Sequence, residues 1–92
     1  MPISRPLLTI AIPTYNRASL LHRLLELLRS QIGEEPRIEL LVSDNASVDS
    51  TASVVDEFRN LGMAIRYIRN ATNLGADRNI IQCFESAEGK YV

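Results

Sequence analysis

Two short segments of the sequence combine residue types that bind ligands. TIAIPTYNR runs from Thr9 to Arg17, and DNAS begins at Asp44. A tyrosine ring offers a flat face to a base, a carboxylate accepts hydrogen bonds from an imide N–H or a ribose hydroxyl, and arginine pairs with phosphate oxygens. The two segments therefore indicate a nucleoside or nucleotide site, with the candidate residues Thr14, Tyr15, Arg17, Asp44 and Asn45.

Each of these segments also has a plain structural explanation. Asn16 would cap a helix, Asp44 and Ser47 would close a turn, and Tyr15 would pack on the next helix. Taken singly, these explanations are the stronger ones. Because two such segments follow neighbouring strands, together they favour a binding site over turns and caps alone.

Alternating strands and helices must position the two segments. The apolar patterns predict strands over Leu7–Ile12, Arg37–Ser43 and Met63–Ile68, with a fourth opening at Lys90. Helices are predicted over Ala18–Ile32, Asp49–Asn60 and Gly75–Glu88, the last burying Ile80, Ile81, Phe84 and Ala87. This order predicts an α/β fold with a mostly parallel sheet and helices on both faces. Ligands bind such sheets at the carboxyl ends of the strands, where strand order reverses.

Composition and motifs exclude several other function classes. Ten basic and eleven acidic residues give a net charge of −1, so the overall charge of the chain does not favour binding to nucleic acid. Neither GxGxxG nor GxxxxGK[ST] occurs, which argues against a dinucleotide dehydrogenase or a P-loop NTPase. Cys83 is the only cysteine, so an internal disulfide and a cysteine metal cluster are excluded, and its helical position predicts a small buried hydrophobe.

Four segments resemble the N-terminal half of family 2 glycosyltransferases of the GT-A fold: LTIAIPTYNRASLL, IELLVSDNASVDST, NLGADRNI and AEGKYV. The resemblance runs from about Leu7 to Val92 and implies an incomplete GT-A fold, a Rossmann-like three-layer sandwich. It implies that Pro13, Thr14, Tyr15, Arg17 and Asp44 hold the nucleotide of a sugar donor. That site would be bordered by the residues of a second pattern, Asn73, Gly75, Arg78 and Asn79. Arg78 would either contact the diphosphate or be a solvated residue at the beginning of a helix.

The resemblance also implies a function for residues 1–92 as the nucleotide-sugar-binding part of a glycosyltransferase domain. The enzyme would transfer a sugar from a UDP- or dTDP-type donor to a saccharide or lipid-linked acceptor in bacterial surface polysaccharide synthesis. It would work in the cytoplasm, peripheral to the inner membrane. An open sheet edge predicts self-association of this chain.

Metal-dependent relatives hold Mn²⁺ or Mg²⁺ with an Asp-x-Asp motif just after the strand that here begins at Tyr91. Neither that motif nor a later catalytic base occurs in the 92 residues, so we expect no catalytic residue here and no sugar transfer by this chain alone. Two other hypotheses remain: a non-catalytic nucleotide-binding or regulatory α/β domain, and an interaction module whose loops are only turns and caps. Nucleotide titration separates them.

Overall fold

The computed structural model, which describes residues 5–33 and 35–92, contains a three-stranded parallel sheet and three helices. The strands are β1 (Leu8–Thr14), β2 (Ile38–Asp44) and β3 (Ile65–Arg69), paired in the order β1-β2-β3. The helices are α1 (Ala18–Ile32), α2 (Thr51–Asn60) and α3 (Ala76–Ser86). The predicted α/β fold with a parallel sheet is confirmed. In the described part of the chain, no helix is long and apolar enough to cross a bilayer.

Helices cover both faces of the sheet. Helices α1 and α2 pack together on one face, while α3 packs on β1 and β2 from the other. Alternate residues of the strands point to the first face, because successive side chains of a strand alternate. The core there consists of Ile12, Leu21, Leu25, Leu40, Val42, Val54, Val55, Phe58, Met63 and Ile65. The layers therefore form a sandwich around β2, whose apolar run made it the most buried strand.

Strand order reverses at β1. Helices α1 and α2 carry the chain from β1 to β2 and then to β3, which lies at the end of the strand order. Helix α3 carries it back across the sheet, where Tyr91 forms a parallel bridge to Leu8 on the far side of β1. The carboxyl end of β1 therefore lies at the kind of switch point where open α/β sheets bind ligands.

The prediction of which side chains α3 buries is wrong. Ile80, Ile81 and Phe84 are all exposed, Phe84 by 63%, whereas Asn79 and Cys83 are buried. The helix turns this polar stripe inwards because the opposing residue of β2 is Ser43, whose hydroxyl and carbonyl both bond to Asn79. The prediction that Cys83 is buried is confirmed, and burial raises the pKa of its thiol.

Candidate functional site

A pocket of about 240 Å³ opens at the carboxyl ends of β1 and β2. Its lining comes from the segment after β1, the end of β2, and the beginning of α3 with the loop before it. The lining residues are Pro13, Thr14, Tyr15, Arg17, Asn45, Asn73, Ala76, Asn79 and Ile80. Five of the seven predicted site residues are thus brought together, namely Pro13, Thr14, Tyr15, Arg17 and Asn45. The pocket combines apolar walls with a tyrosine ring, a hydroxyl, a guanidinium and several amides.

The segment after β1 is held in place by the loop that follows β2. The backbone N–H of Asn16 donates to Ser47 Oγ at 2.8 Å, and Asn16 Oδ1 accepts from the backbone N–H of Val48 at 2.8 Å. Asn16 has a positive φ of 49°, a left-handed conformation that asparagine tolerates better than most residues. The expectation that Asn16 caps α1 is therefore wrong, because its side chain bonds to the neighbouring loop instead.

The first amide of α1 bonds to the second loop as well. Asp49 Oδ2 accepts a hydrogen bond from the backbone N–H of Ala18 at 3.1 Å, and its Oδ1 accepts from the backbone N–H of Thr51. These hydrogen bonds hold the pKa of Asp49 below its ordinary value; the largest contribution is the bond from the Thr51 hydroxyl, opposed by partial burial. Asp49 therefore joins the beginnings of α1 and α2, and α2 begins two residues later than predicted.

Tyr15 and Arg17 are the accessible groups of the first segment. Tyr15 is 44% exposed and lines the pocket, so its side chain is accessible to a ligand there. Arg17, the residue before α1, is exposed, whereas Thr14 is buried at the end of β1. The segment therefore offers an aromatic ring, that of Tyr15, close in sequence to a cation, that of Arg17. These two groups suit the base and the phosphates of a nucleotide.

Asp44 lies below the loop and is completely buried. Its Oδ1 accepts from the backbone N–H of Ser47 at 2.9 Å, and its Oδ2 accepts from the Tyr67 hydroxyl. Burial and this hydrogen bond raise the pKa of Tyr67. The turn-closing role of Asp44 and Ser47 is confirmed. Contact between Asp44 and a nucleotide stays a prediction, since its carboxylate is not among the groups that line the pocket.

Asn45 lines the pocket, but every donor and acceptor of its side-chain amide is used in a hydrogen bond within the protein. Its Oδ1 accepts from the backbone N–H of Leu74 at 2.8 Å and from Asn70 Nδ2 at 3.1 Å. Its Nδ2 donates to Asn73 Oδ1 at 2.8 Å and to the carbonyl of Gly75 at 3.3 Å. An amide has two donors and two acceptor lone pairs, so these four bonds use its whole capacity. Asn45 therefore shapes the pocket wall, and its predicted contact with a nucleotide stays a prediction.

Helix α3 supplies lining residues that reasoning from the sequence did not single out. Ala76 and Ile80 line the pocket beside Asn79, because residues three and four apart share one side of a helix. That spacing could have found them in two steps, since Ala76 lies three residues before Asn79 and Ile80 lies four residues after Ala76. Arg78 is exposed on α3 and is not part of the lining, so its role at the diphosphate stays a prediction.

The side chains around the pocket do not fit a metal site. Within residues 5–33 and 35–92, no group of three or more histidine, cysteine, aspartate and glutamate side chains could hold a metal ion. The carboxylate of Asp44, at the end of β2, is buried and engaged by Ser47 and Tyr67.

Comparison with known proteins identifies the family. The sequence model described as "Glycosyl transferase family 2" matches residues 9–92. The chain belongs to this family. Among curated glycosyltransferases, it is 42% identical over 86 residues to the abequosyltransferase RfbV of Salmonella typhimurium, covering 92% of this chain and 26% of that protein. A second relative is the GalNAc(5)-diNAcBac-PP-undecaprenol beta-1,3-glucosyltransferase of Campylobacter jejuni, 31% identical over 95% of this chain and 28% of that protein.

A solved structure of a glycosyltransferase has the same arrangement of strands and helices. The mannosyltransferase of Pyrobaculum calidifontis in complex with GDP-Man and Mn²⁺ matches with a TM-score of 0.74 and 25% identity, over 94% of this chain and 26% of that one. The GT-A fold inferred from the sequence is thereby confirmed. The chain spans about a quarter of the length of these glycosyltransferase relatives.

Proposed function

We propose that this chain forms the nucleotide-binding part of a family 2 glycosyltransferase that transfers a sugar from a nucleotide diphosphate to an acceptor in bacterial surface polysaccharide synthesis. The observation that carries the proposal is the pocket at the switch point of the sheet, lined by Tyr15, Arg17 and Asn45. The relatives support it, since they include an abequosyltransferase and a glucosyltransferase named for an undecaprenol-linked saccharide. The name of the Campylobacter jejuni enzyme supports a saccharide or lipid-linked acceptor for the proposed reaction.

The size of the pocket indicates which part of the donor it holds. Its volume of about 240 Å³ is below the lower limit of about 300 Å³ for pockets that enclose a drug-sized ligand. The space suits a base and part of a ribose, with the diphosphate and the sugar extending beyond it. Tyr15 would stack on the base, and a pyrimidine of the UDP or dTDP type suits the small volume.

Arg17 is the group proposed to contact the diphosphate. It lies at the beginning of α1, whose first turn contains no acidic residue, so the helix adds a partial positive charge there. Asp49 offsets part of that charge because its carboxylate bonds to the first amide of the helix, that of Ala18. The permanent charge of Arg17 therefore supplies most of the local attraction for phosphate.

A divalent cation is proposed for the full-length enzyme. The mannosyltransferase relative was solved with Mn²⁺, and such an ion would neutralise charge on the departing nucleotide diphosphate. Residues 5–33 and 35–92 contain no group of three or more histidine, cysteine, aspartate and glutamate side chains that could hold it, so we propose that its ligands are residues outside these ranges. We expect sugar transfer to require those residues too.

The Tyr15→Ala variant tests the pocket. Loss of the stacking surface should weaken binding of a nucleoside diphosphate about tenfold, which corresponds to about 1.4 kcal/mol. Isothermal titration of the wild-type chain with UDP, dTDP and GDP measures the affinity and the base preference together. The tightest of the three is then titrated into the variant.

The Tyr91→Ala variant is the matched control. Tyr91 is also exposed, but it lies beside Leu8 at the opposite end of β1 from the pocket. We expect this variant to bind as the wild type does. Equal losses in the two variants, or no binding of any nucleotide by the wild type, would contradict the proposed site.

A further inference from the structure

A buried network of side-chain amides lies behind one wall of the pocket. Asn79, in the first turn of α3, is only 3% exposed. Its Oδ1 accepts from Ser43 Oγ at 2.7 Å, and its Nδ2 donates to the carbonyl of Ser43 at 2.9 Å. The same Oδ1 also accepts from Asn70 Nδ2 at 3.4 Å. Both ends of one amide therefore tie α3 to the end of β2.

The network continues from Asn70 into the pocket wall. Asn70 Nδ2 donates to Asn45 Oδ1, and the backbone N–H of Asn70 donates to the carbonyl of Asp44 at 2.8 Å. Asn45 then bonds to Asn73 and Leu74 in the loop before α3. Three of the lining residues, Asn45, Asn73 and Asn79, thus belong to one chain of hydrogen bonds.

We propose that Asn79 is a positioning residue of the nucleotide pocket, whose amide sets the placement of Asn45 and of the loop over residues 70–75 through Ser43 and Asn70. The inference rests on the proposed function and assigns the residue that organises its site. The physical reason is that a buried amide with several partners leaves each of them unsatisfied when it is removed. Such networks fix one arrangement of the groups that they connect.

Ser43 provides the variant that separates positioning from direct contact. It bonds to Asn79 but is completely buried and is not among the lining residues. The variants Asn79→Ala, Ser43→Ala and the double variant are titrated with whichever of UDP, dTDP and GDP the wild type binds tightest. We expect each single change to weaken binding about tenfold and the double change to add little more, because the two residues act through one network. Wild-type affinity in Ser43→Ala would overturn the proposal.

Hydrogen exchange gives a readout that needs no nucleotide. The backbone N–H of Leu74 bonds to Asn45 Oδ1, so loosening of the network should make it exchange about tenfold faster in Asn79→Ala. Val55→Ala, a change in the opposite core, controls for a general loss of stability and should not accelerate Leu74 selectively. Asn60→Ala, at the exposed end of α2, is the matched asparagine control.

The two measurements distinguish failure of the inference from failure of the proposed function. If the wild type binds none of the nucleotides, the proposed function fails, and the exchange rate at Leu74 still decides whether Asn79 positions the wall. If the wild type binds and only Tyr15→Ala loses affinity, the function stands and the inference fails. Unchanged exchange at Leu74 in Asn79→Ala overturns the inference in either case.

Discussion

The Gly89→Ala variant is expected to have a free energy of unfolding about 2–4 kcal/mol lower than the wild type, as measured by urea denaturation. Gly89 is buried against β1, where an added Cβ would lie 2.6 Å from both the backbone nitrogen and the Oγ1 of Thr9. Backbone atoms of a paired strand cannot retreat by that amount. The last residues of the chain would have to lift away from the sheet.

That displacement would break a defined set of hydrogen bonds. Gly89 donates to Thr9 Oγ1 at 2.8 Å, Tyr91 donates to the carbonyl of Leu7, and Thr9 donates to the carbonyl of Tyr91 at 2.7 Å. Each such bond contributes about 1 kcal/mol. The variant should therefore lose the bridge on the far side of β1, and faster amide exchange at Thr9 would report it.

Gly33→Ala is the matched control for this prediction. Gly33 ends α1 with a positive φ of 54°, and an added Cβ would meet nothing within 4 Å. Alanine there meets no other atom, so its cost is that of backbone strain alone, about 1–3 kcal/mol for a φ of 54° and a ψ of −127° that side chains rarely adopt. Amide exchange at Thr9 should stay as in the wild type in Gly33→Ala. An unfolding free energy of Gly89→Ala equal to that of the wild type, with unchanged exchange at Thr9, would show that the close approach at Gly89 is relieved without cost.

The order of elements could be predicted because it depends on local patterns. The apolar run of β2 and the apolar stripes of α1 and α2 are patterns of residues close together in the sequence. Leu25 in α1, and Val55 and Phe58 in α2, are buried in the core. The position of the pocket followed from one general rule about the ends of parallel strands, together with Tyr15 in the segment after β1.

What the sequence did not reveal are the polar contacts between distant segments. Asn16 has the spacing of a helix cap, but its partner Val48 lies 32 residues away. The inward face of α3 was mispredicted for the same reason. The hydrogen bond between Ser43 and Asn79 turns Asn79 towards the sheet and leaves the apolar Ile80 and Phe84 exposed. Hydrophobic periodicity takes no account of a polar group that faces the helix from another element.

Glu39 is the second position where a large effect on stability is expected. It lies in β2 and is 9% exposed. Its carboxylate accepts hydrogen bonds from Thr9 Oγ1 at 2.7 Å, from Arg66 Nη1, and from the backbone N–H of Glu88 at 3.1 Å. One carboxylate of β2 thus bonds to β1, to β3 and to the segment after α3, so its removal takes a hydrogen bond from a partner in each of these three.

The charge of Glu39 makes this contribution dependent on pH. Burial acts to raise the pKa of the carboxyl, but the hydrogen bonds from Thr9 and Arg66 and the charge of Arg66 outweigh it, so the pKa lies below its ordinary value of 4.5. The folded protein therefore binds this proton less tightly than the unfolded chain. The ionised group stabilises the fold above that ordinary value, and its contribution is lost as the pH falls through the lowered pKa.

The Glu39→Gln variant should therefore be less stable than the wild type by about 2 kcal/mol at about pH 7, because the amide keeps the size but loses the charge-assisted bonds. The difference should be smaller at about pH 3 than at about pH 7, because the wild type loses this charge as the pH falls through the lowered pKa. Urea unfolding at both pH values measures it, and Glu26→Gln, on the exposed side of α1, is the control without an expected effect. A difference that stays the same at both pH values would mean that the size and hydrogen bonding of Glu39, and not its charge, hold these segments together.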